Sequence, residues 1–319
     1  MPENMKYMFP DLEGKEYNTL YIIGNGFDLF HGLNTSYLGF YCWLIEKGHM
    51  SFVSMMERIF PRLIENKREN LLWSDFESAL GSYNLEYIHK EFGPKKEQSE
   101  VDYDLQEQAS VKIRPTLNNI NILLKEWAID RSNKIEISKE TNKLQLPKES
   151  FYLSFNYTTV LEELYKIPEN NVLHIHGSAM KPEDQLIVGH KTVPVGIECD
   201  DVNKKKSLEL IMNEMQKFYK QTSEIISNNS EKFDRLKDVD RVVVLGHSLS
   251  KIDMPYFNKV IETIKEDSHW HFSAHDVKGI ANVHNLIKWQ EKMDKQPVLG
   301  RINNRTKKLN LSTSWIFNM

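Results

Sequence analysis

Four short stretches gather residue types that handle protons, hydroxyls and phosphates, and each directly follows an apolar run. They are Gly24-Asn25-Gly26-Phe27-Asp28, Phe155-Asn156-Tyr157-Thr158, His174-Ile175-His176-Gly177-Ser178, and Gly246-His247-Ser248-Leu249-Ser250-Lys251-Ile252-Asp253. A histidine exchanges a proton near neutral pH, an asparagine positions a hydroxyl or a water without titrating, and glycine and serine line a phosphate or a ribose. His176, where the chain leaves its strand for Gly177, suits a general base toward a hydroxyl or water. Asn156 suits the orienting of that water. Such a base contributes roughly 10^2 to 10^4 in rate, and no metal is required.

Gly24 and Gly26 remove two Cβ atoms where a strand turns into a helix, which leaves N–H groups for a phosphate at the helix N-terminus. This is half of a dinucleotide fingerprint. Leu29 stands where a third glycine would, and Glu46, at the spacing of the usual acidic residue, lies in a helical-looking stretch. A plain turn is the open alternative. The expected nucleotide-binding set is Gly24, Asn25, Gly26, Phe27, Asp28, Gly177, Gly246 and Ser248. Asp28 reads equally as a ribose contact or as a favourable carboxylate in a first helical turn.

Two rival chemistries meet these residues. Gly246-His247-Ser248-Leu249-Ser250 nearly matches the nucleophile elbow of serine esterases, and Asp276 and His284 would complete the order, yet too little sheet remains after residue 248 for that fold. His174 and His176 share the spacing of metal pairs, but no third and fourth ligand stands at a suitable distance along the chain, so no metal is expected and His174 is read as structural. The fragment Trp73-Ser74-Asp75-Phe76-Glu77 is read as helix packing through its aromatics.

The elements that must position these residues alternate. Strand signals occur at 19–23, 151–155, 172–175, 186–188, 242–245, 270–273 and 314–317; helical stretches occupy 159–166, 205–226, 255–265 and 278–292. Alternation of this kind predicts an α/β fold with a parallel sheet and helices on both faces, with ligands at the carboxyl ends of the strands. Residues 36–145 carry helical spacing and almost no β-rich run, and 93–104 are polar enough for an exposed loop. The expected organisation is a core of residues 1–35 and 146–319, a helical insertion at 36–145, and a second, mostly helical insertion at 191–238.

Over 319 residues the net charge is -4 with dispersed lysines and arginines, which argues against nucleic acid as main partner. Two cysteines, Cys42 and Cys199, build neither a disulfide framework nor a cysteine-rich zinc site. The N-terminal stretch lacks a signal peptide's apolar centre and no run of 18 apolar residues occurs, so a soluble cytoplasmic protein with no membrane partner is expected.

The stretches Ile22-Ile23-Gly24-Asn25-Gly26-Phe27-Asp28-Leu29, Phe155-Asn156-Tyr157-Thr158 and His174-Ile175-His176-Gly177, in this order, resemble the abortive infection AbiH family of bacterial anti-phage proteins. More distantly, the strand-end residues look like the sirtuin-type NAD-binding fold, with Thr158 where the Asn-Tyr-Asp turn of that fold carries its aspartate. The resemblance implies a sirtuin-like, Rossmann-type, doubly wound parallel sheet with large helical insertions. It implies an effector that hydrolyses NAD, as substrate, to ADP-ribose and nicotinamide, with His176 and Asn156 catalytic. A phage-derived trigger, a defence partner protein or a homo-oligomer would switch it on. A module that senses a nucleotide without cleaving it is the rival reading; a nuclease has no motif in its favour.

Overall fold

Thr19-Leu20-Tyr21-Ile22-Ile23 is β-branched and aromatic on both faces, as a strand covered on two sides must be, and all five residues are buried. In the computed structural model, which describes residues 18–64, 73, 75–93, 103–135, 144–194, 196–266 and 268–273, this segment is strand β1 (Thr19–Ile23) at the centre of a parallel sheet. The other strands are β2 (Phe151–Ser154), β3 (Val172–His174), β4 (Arg241–Leu245) and β5 (His269–Phe272), in the order β3-β2-β1-β4-β5. Ile22 pairs with Leu153 of β2 on one side and Val244 of β4 on the other.

Alternate residues of the strands enter separate cores. Leu20, Ile22, Leu153, Val242 and Val244 pack with Phe233, Leu236, Tyr256, Phe257 and Val260. Tyr21, Ile23, Tyr152, Val243 and Leu245 pack with Phe27, Leu161, Leu164 and Tyr165 on the opposite face. Each fully buried aliphatic side chain contributes about 1.5–3 kcal/mol. From β1 the chain builds outward through β2 and β3, then returns to the other side of β1 with β4 and β5. The order therefore reverses between β1 and β4, and their carboxyl ends flank the crevice where open parallel sheets hold ligands.

The chain divides into two compact units. The first comprises residues 1–34, 130–184 and 221–319, and holds the sheet with helices α1 (Asn25–Phe30), α7 (Val160–Tyr165), α9 (Thr222–Asn228), α10 (Ser230–Asp234) and α11 (Met254–Thr263). The second comprises 35–129 and 185–220. It holds α2 (Tyr37–Glu46), α3 (Met50–Ile59), α4 (Phe76–Ala79), α5 (Leu85–Phe92), α8 (Val202–Met215) and α6 (Tyr103–Ser132) up to residue 129. Ser36 caps α2 by accepting from the Gly39 N–H at 3.0 Å. The second unit is built on aromatics: Trp73 and Phe76 stack at 5.3 Å, and Phe40 meets Trp127 at 5.3 Å. Its fully buried Lys220 donates to Glu77 at 2.9 Å.

Residues 186–188 are not a strand, contrary to the β-rich run. Leu186 and Val188 are buried, but the following backbone bonds within the second unit: the His190 N–H reaches the Phe218 carbonyl and the Lys220 N–H reaches the His190 carbonyl, each at 2.8 Å. An apolar run marks burial, and a ladder needs a partner edge as well. The stretch 205–226 is likewise broken, α8 ending at Met215 and α9 starting at Thr222. The candidate elements 278–292 and 314–317, and residues 94–102 of the polar loop, lie outside the described residues.

Candidate functional site at the carboxyl ends of the strands

The turns after β1 and β4 touch backbone to backbone. The Gly24 N–H donates to the Leu245 carbonyl at 2.9 Å and the Gly26 N–H to the Gly246 carbonyl at 2.8 Å. A Cβ on Gly24 would lie 2.5 Å from the His247 Cα, and one on Gly26 2.8 Å from the Gly246 Cα. Gly246 has φ +65°, and its Cβ would lie 2.2 Å from the Phe27 nitrogen. The glycines thus have a packing reason, and both N–H groups expected for a phosphate are engaged within the fold. Around this contact Asn25 and Ser248 are exposed, whereas Phe27 and Asp28 are buried.

Phe27 belongs to the core under α1, 5.8 Å from the Tyr165 ring. His31 holds that helix. Its Nδ1 donates to the Phe27 carbonyl at 2.6 Å, which leaves Nε2 to accept from the Tyr165 hydroxyl at 2.6 Å. Burial pushes the pKa of His31 down and that of Tyr165 up to about 12.

Asn156, directly beyond β2, is fixed from several directions. Its Nδ2 donates to the Gly24 carbonyl at 3.1 Å and to Asp28 Oδ1 at 2.8 Å. Thr158 donates to the other Asp28 oxygen at 2.5 Å. The Asn156 N–H donates to Ser154 Oγ at 3.2 Å, and its carbonyl faces His174 Nδ1 at 2.9 Å. His174 Nε2 faces Glu162 Oε1 at 2.8 Å. A carbonyl and a carboxylate only accept, so these two partners favour the form of His174 in which both ring nitrogens donate, the imidazolium. Burial lowers its pKa, but the Glu162 carboxylate, with the Asn156 carbonyl, outweighs that and raises it. The structural role expected for His174 is therefore that of a charged clamp.

His176, beyond β3, is only 4% exposed. Its ring meets Phe155 edge-on at 5.2 Å and Tyr256 at 5.7 Å. Gly177 follows at φ +84°, a left-handed turn that only glycine adopts at low cost. Two residues outside the expected set join His176 here. Asp253, at the N-cap of α11, approaches His176 Nε2 at 3.6 Å and His247 Nε2 at 3.9 Å. The Leu249 N–H donates to His247 Nδ1 at 2.9 Å, which assigns the His247 proton to Nε2, on the side of Asp253. The fourth sequence stretch contains both residues, but nothing in its spacing says that they meet a histidine some 70 positions earlier; only the sheet order does. Among the described residues no group of three or more His, Cys, Asp or Glu is arranged to hold a metal ion. Ser248 has the exposure of a nucleophile, but its neighbour His247 is turned to Leu249 and Asp253, and Asp276 and His284 lie outside the described residues.

A family model described as "Bacteriophage abortive infection AbiH" matches residues 20–274. The chain belongs to this AbiH family. Membership associates it with anti-phage abortive infection, and the matched span takes in the five described strands, β1 from Leu20 onward, and every stretch of the AbiH-family site described above. No curated protein and no solved structure matches the chain. No described helix of this AbiH-family protein is long and apolar enough to cross a membrane.

Proposed function

We propose that this AbiH-family protein is an abortive-infection effector that hydrolyses NAD to ADP-ribose and nicotinamide in a sirtuin-like, Rossmann-type site. What supports the reading is one juxtaposition: Asn156 and His176 follow the adjacent parallel strands β2 and β3, beside the point where the strand order reverses. Breaking the nicotinamide–ribose bond sends its electron pair to nicotinamide and leaves positive charge on the ribose. Water oriented by Asn156 adds to the ribose carbon, and His176 takes the proton. With the Gly24 and Gly26 N–H groups engaged, the phosphates fall to the exposed rim at Asn25 and Ser248, with Gly177 and Gly246 shaping its turns. A phage-derived trigger, a partner protein or self-assembly turns the site on.

One observation favours a second reading. His176 is almost fully covered, as suits a module that binds NAD as a signal without cleaving it. The test is nicotinamide release from NAD by purified protein, together with the NAD content of phage-infected cells. We expect release and a fall in NAD during infection, and a loss of about 10^2 to 10^4 in rate for His176→Ala with NAD affinity kept. Undiminished release by His176→Ala would overturn the mechanism. Binding with intact NAD pools in protected cells would establish the sensor instead.

A further inference from the structure

We infer that Asn156 meets its ligand through Oδ1 alone, as a hydrogen-bond acceptor, and that Asp28 and His174 are the positioning residues that enforce this. The inference deepens the proposed site and rests on that reading for its substrate. Both oxygens facing Asn156 Nδ2, the Gly24 carbonyl and Asp28 Oδ1, are acceptors, so the amide has one orientation and both its hydrogens are spent. The backbone N–H and carbonyl are held by Ser154 and His174. Among the described residues nothing donates to Oδ1, which is the one polar atom of Asn156 outside this set of bonds. The group it takes must be a donor: a hydroxyl of the ribose or the attacking water. An anionic oxygen would face a carbonyl oxygen with the Asp28 carboxylate behind it, so this position selects a free hydroxyl over a phosphate.

The assignment changes the part played by Asp28. At 1% exposure, with its oxygens bonded to Asn156 and Thr158, it is a holder of the amide and not a ribose contact. His174 acts from the other side. As an imidazolium clamped by Glu162 it pins the Asn156 carbonyl, which sets the backbone from which the amide projects.

Substitutions at Asp28 separate orientation from simple occupancy. In Asp28→Asn the new carboxamide oxygen still accepts from Asn156, and the Thr158 hydroxyl turns to accept from the new amide. In Asp28→Ala the amide of Asn156 keeps only the Gly24 carbonyl and is held less firmly in its orientation. We expect kcat for nicotinamide release to fall by up to about 100-fold in Asp28→Ala with KM little changed, since misplacing a positioned group by about 1 Å has that cost. Asp28→Asn should stay within roughly 5-fold of wild type, a charge-assisted bond having become a neutral one. A second measurement needs no activity: hydrogen exchange of the Asn156 side-chain amide by NMR, assigned through its loss in Asn156→Ala. Both amide hydrogens should be protected in the wild type and in Asp28→Asn. Exchange in the wild type at the rate of an exposed asparagine, or equal kcat in the two Asp28 variants, would overturn the inference. If the amide is protected but NAD is never cleaved, the positioning stands and the NAD reading fails. Should Asp28→Ala not fold, the wild-type and Asp28→Asn exchange still decide.

Discussion

The two halves of the strand-end rim have different surroundings. Around Asn156 the bonds are directed, from 2.5 Å for Thr158 to Asp28 through 2.8 Å for Asn156 Nδ2 to Asp28 up to 3.5 Å for the Ser154 hydroxyl to the Asn156 carbonyl. Beside His176 lie an Asp253 carboxylate oxygen, 3.6 Å from Nε2, and the aromatic edges of Phe155 and Tyr256. Directed bonds fix which atom a side chain presents. Aromatic packing fixes where a ring sits. The proposed function gives orientation to one of these neighbouring strand ends and proton transfer to the other.

The contact between the turns after β1 and β4 underlies both halves, so breaking it should have the largest effect. In Gly246→Val the side chain would collide with the Phe27 nitrogen at a left-handed φ. We expect a loss of more than about 3 kcal/mol in chemical denaturation, or no soluble protein; a stability near wild type would mean that the turns separate easily. Thr158→Val tests the directed half. It removes the donor to Asp28 and should cost about 1–3 kcal/mol, with faster exchange of the Asn156 amide, whereas the His176 ring should be unaffected.

The smallest effect is a pH dependence. The pKa of His174 is raised in the folded protein above its ordinary 6.5. Its contribution to stability is therefore fully present below about 6.5 and is lost as the pH climbs through the folded value. Glu162→Gln removes the carboxylate that raises it. Urea midpoints measured from pH 5.5 to 8.5 should show this acid-side advantage in the wild type and a flatter profile in Glu162→Gln. An identical profile in the variant would show that His174 is not charged by Glu162.

Strand ends were legible in the sequence because period and burial coincide there. Thr19–Ile23, Phe151–Ser154 and Arg241–Leu245 are apolar on both faces, and the residues that follow them change abruptly to glycine, asparagine and histidine. The same signal misled at 186–188, where burial occurs without a ladder. Gly24 and Gly26 were marked as positions where a missing Cβ leaves room for a phosphate. Whether a phosphate or another backbone fills that room is not written locally, and here the backbone of Gly246 and His247 does.

By itself, then, the sequence marked the five strands of the described sheet, their chemically distinct ends and the AbiH family, because each depends on residues close together in the chain. The tertiary structure alone decided what those ends do to one another. Strand order β3-β2-β1-β4-β5 brings Asp28 to Asn156 across 128 positions and Asp253 to His176. A hydrogen bond depends on a few tenths of an ångström and on which atom faces which. Distances of that kind exist only once strands far apart in the chain lie side by side.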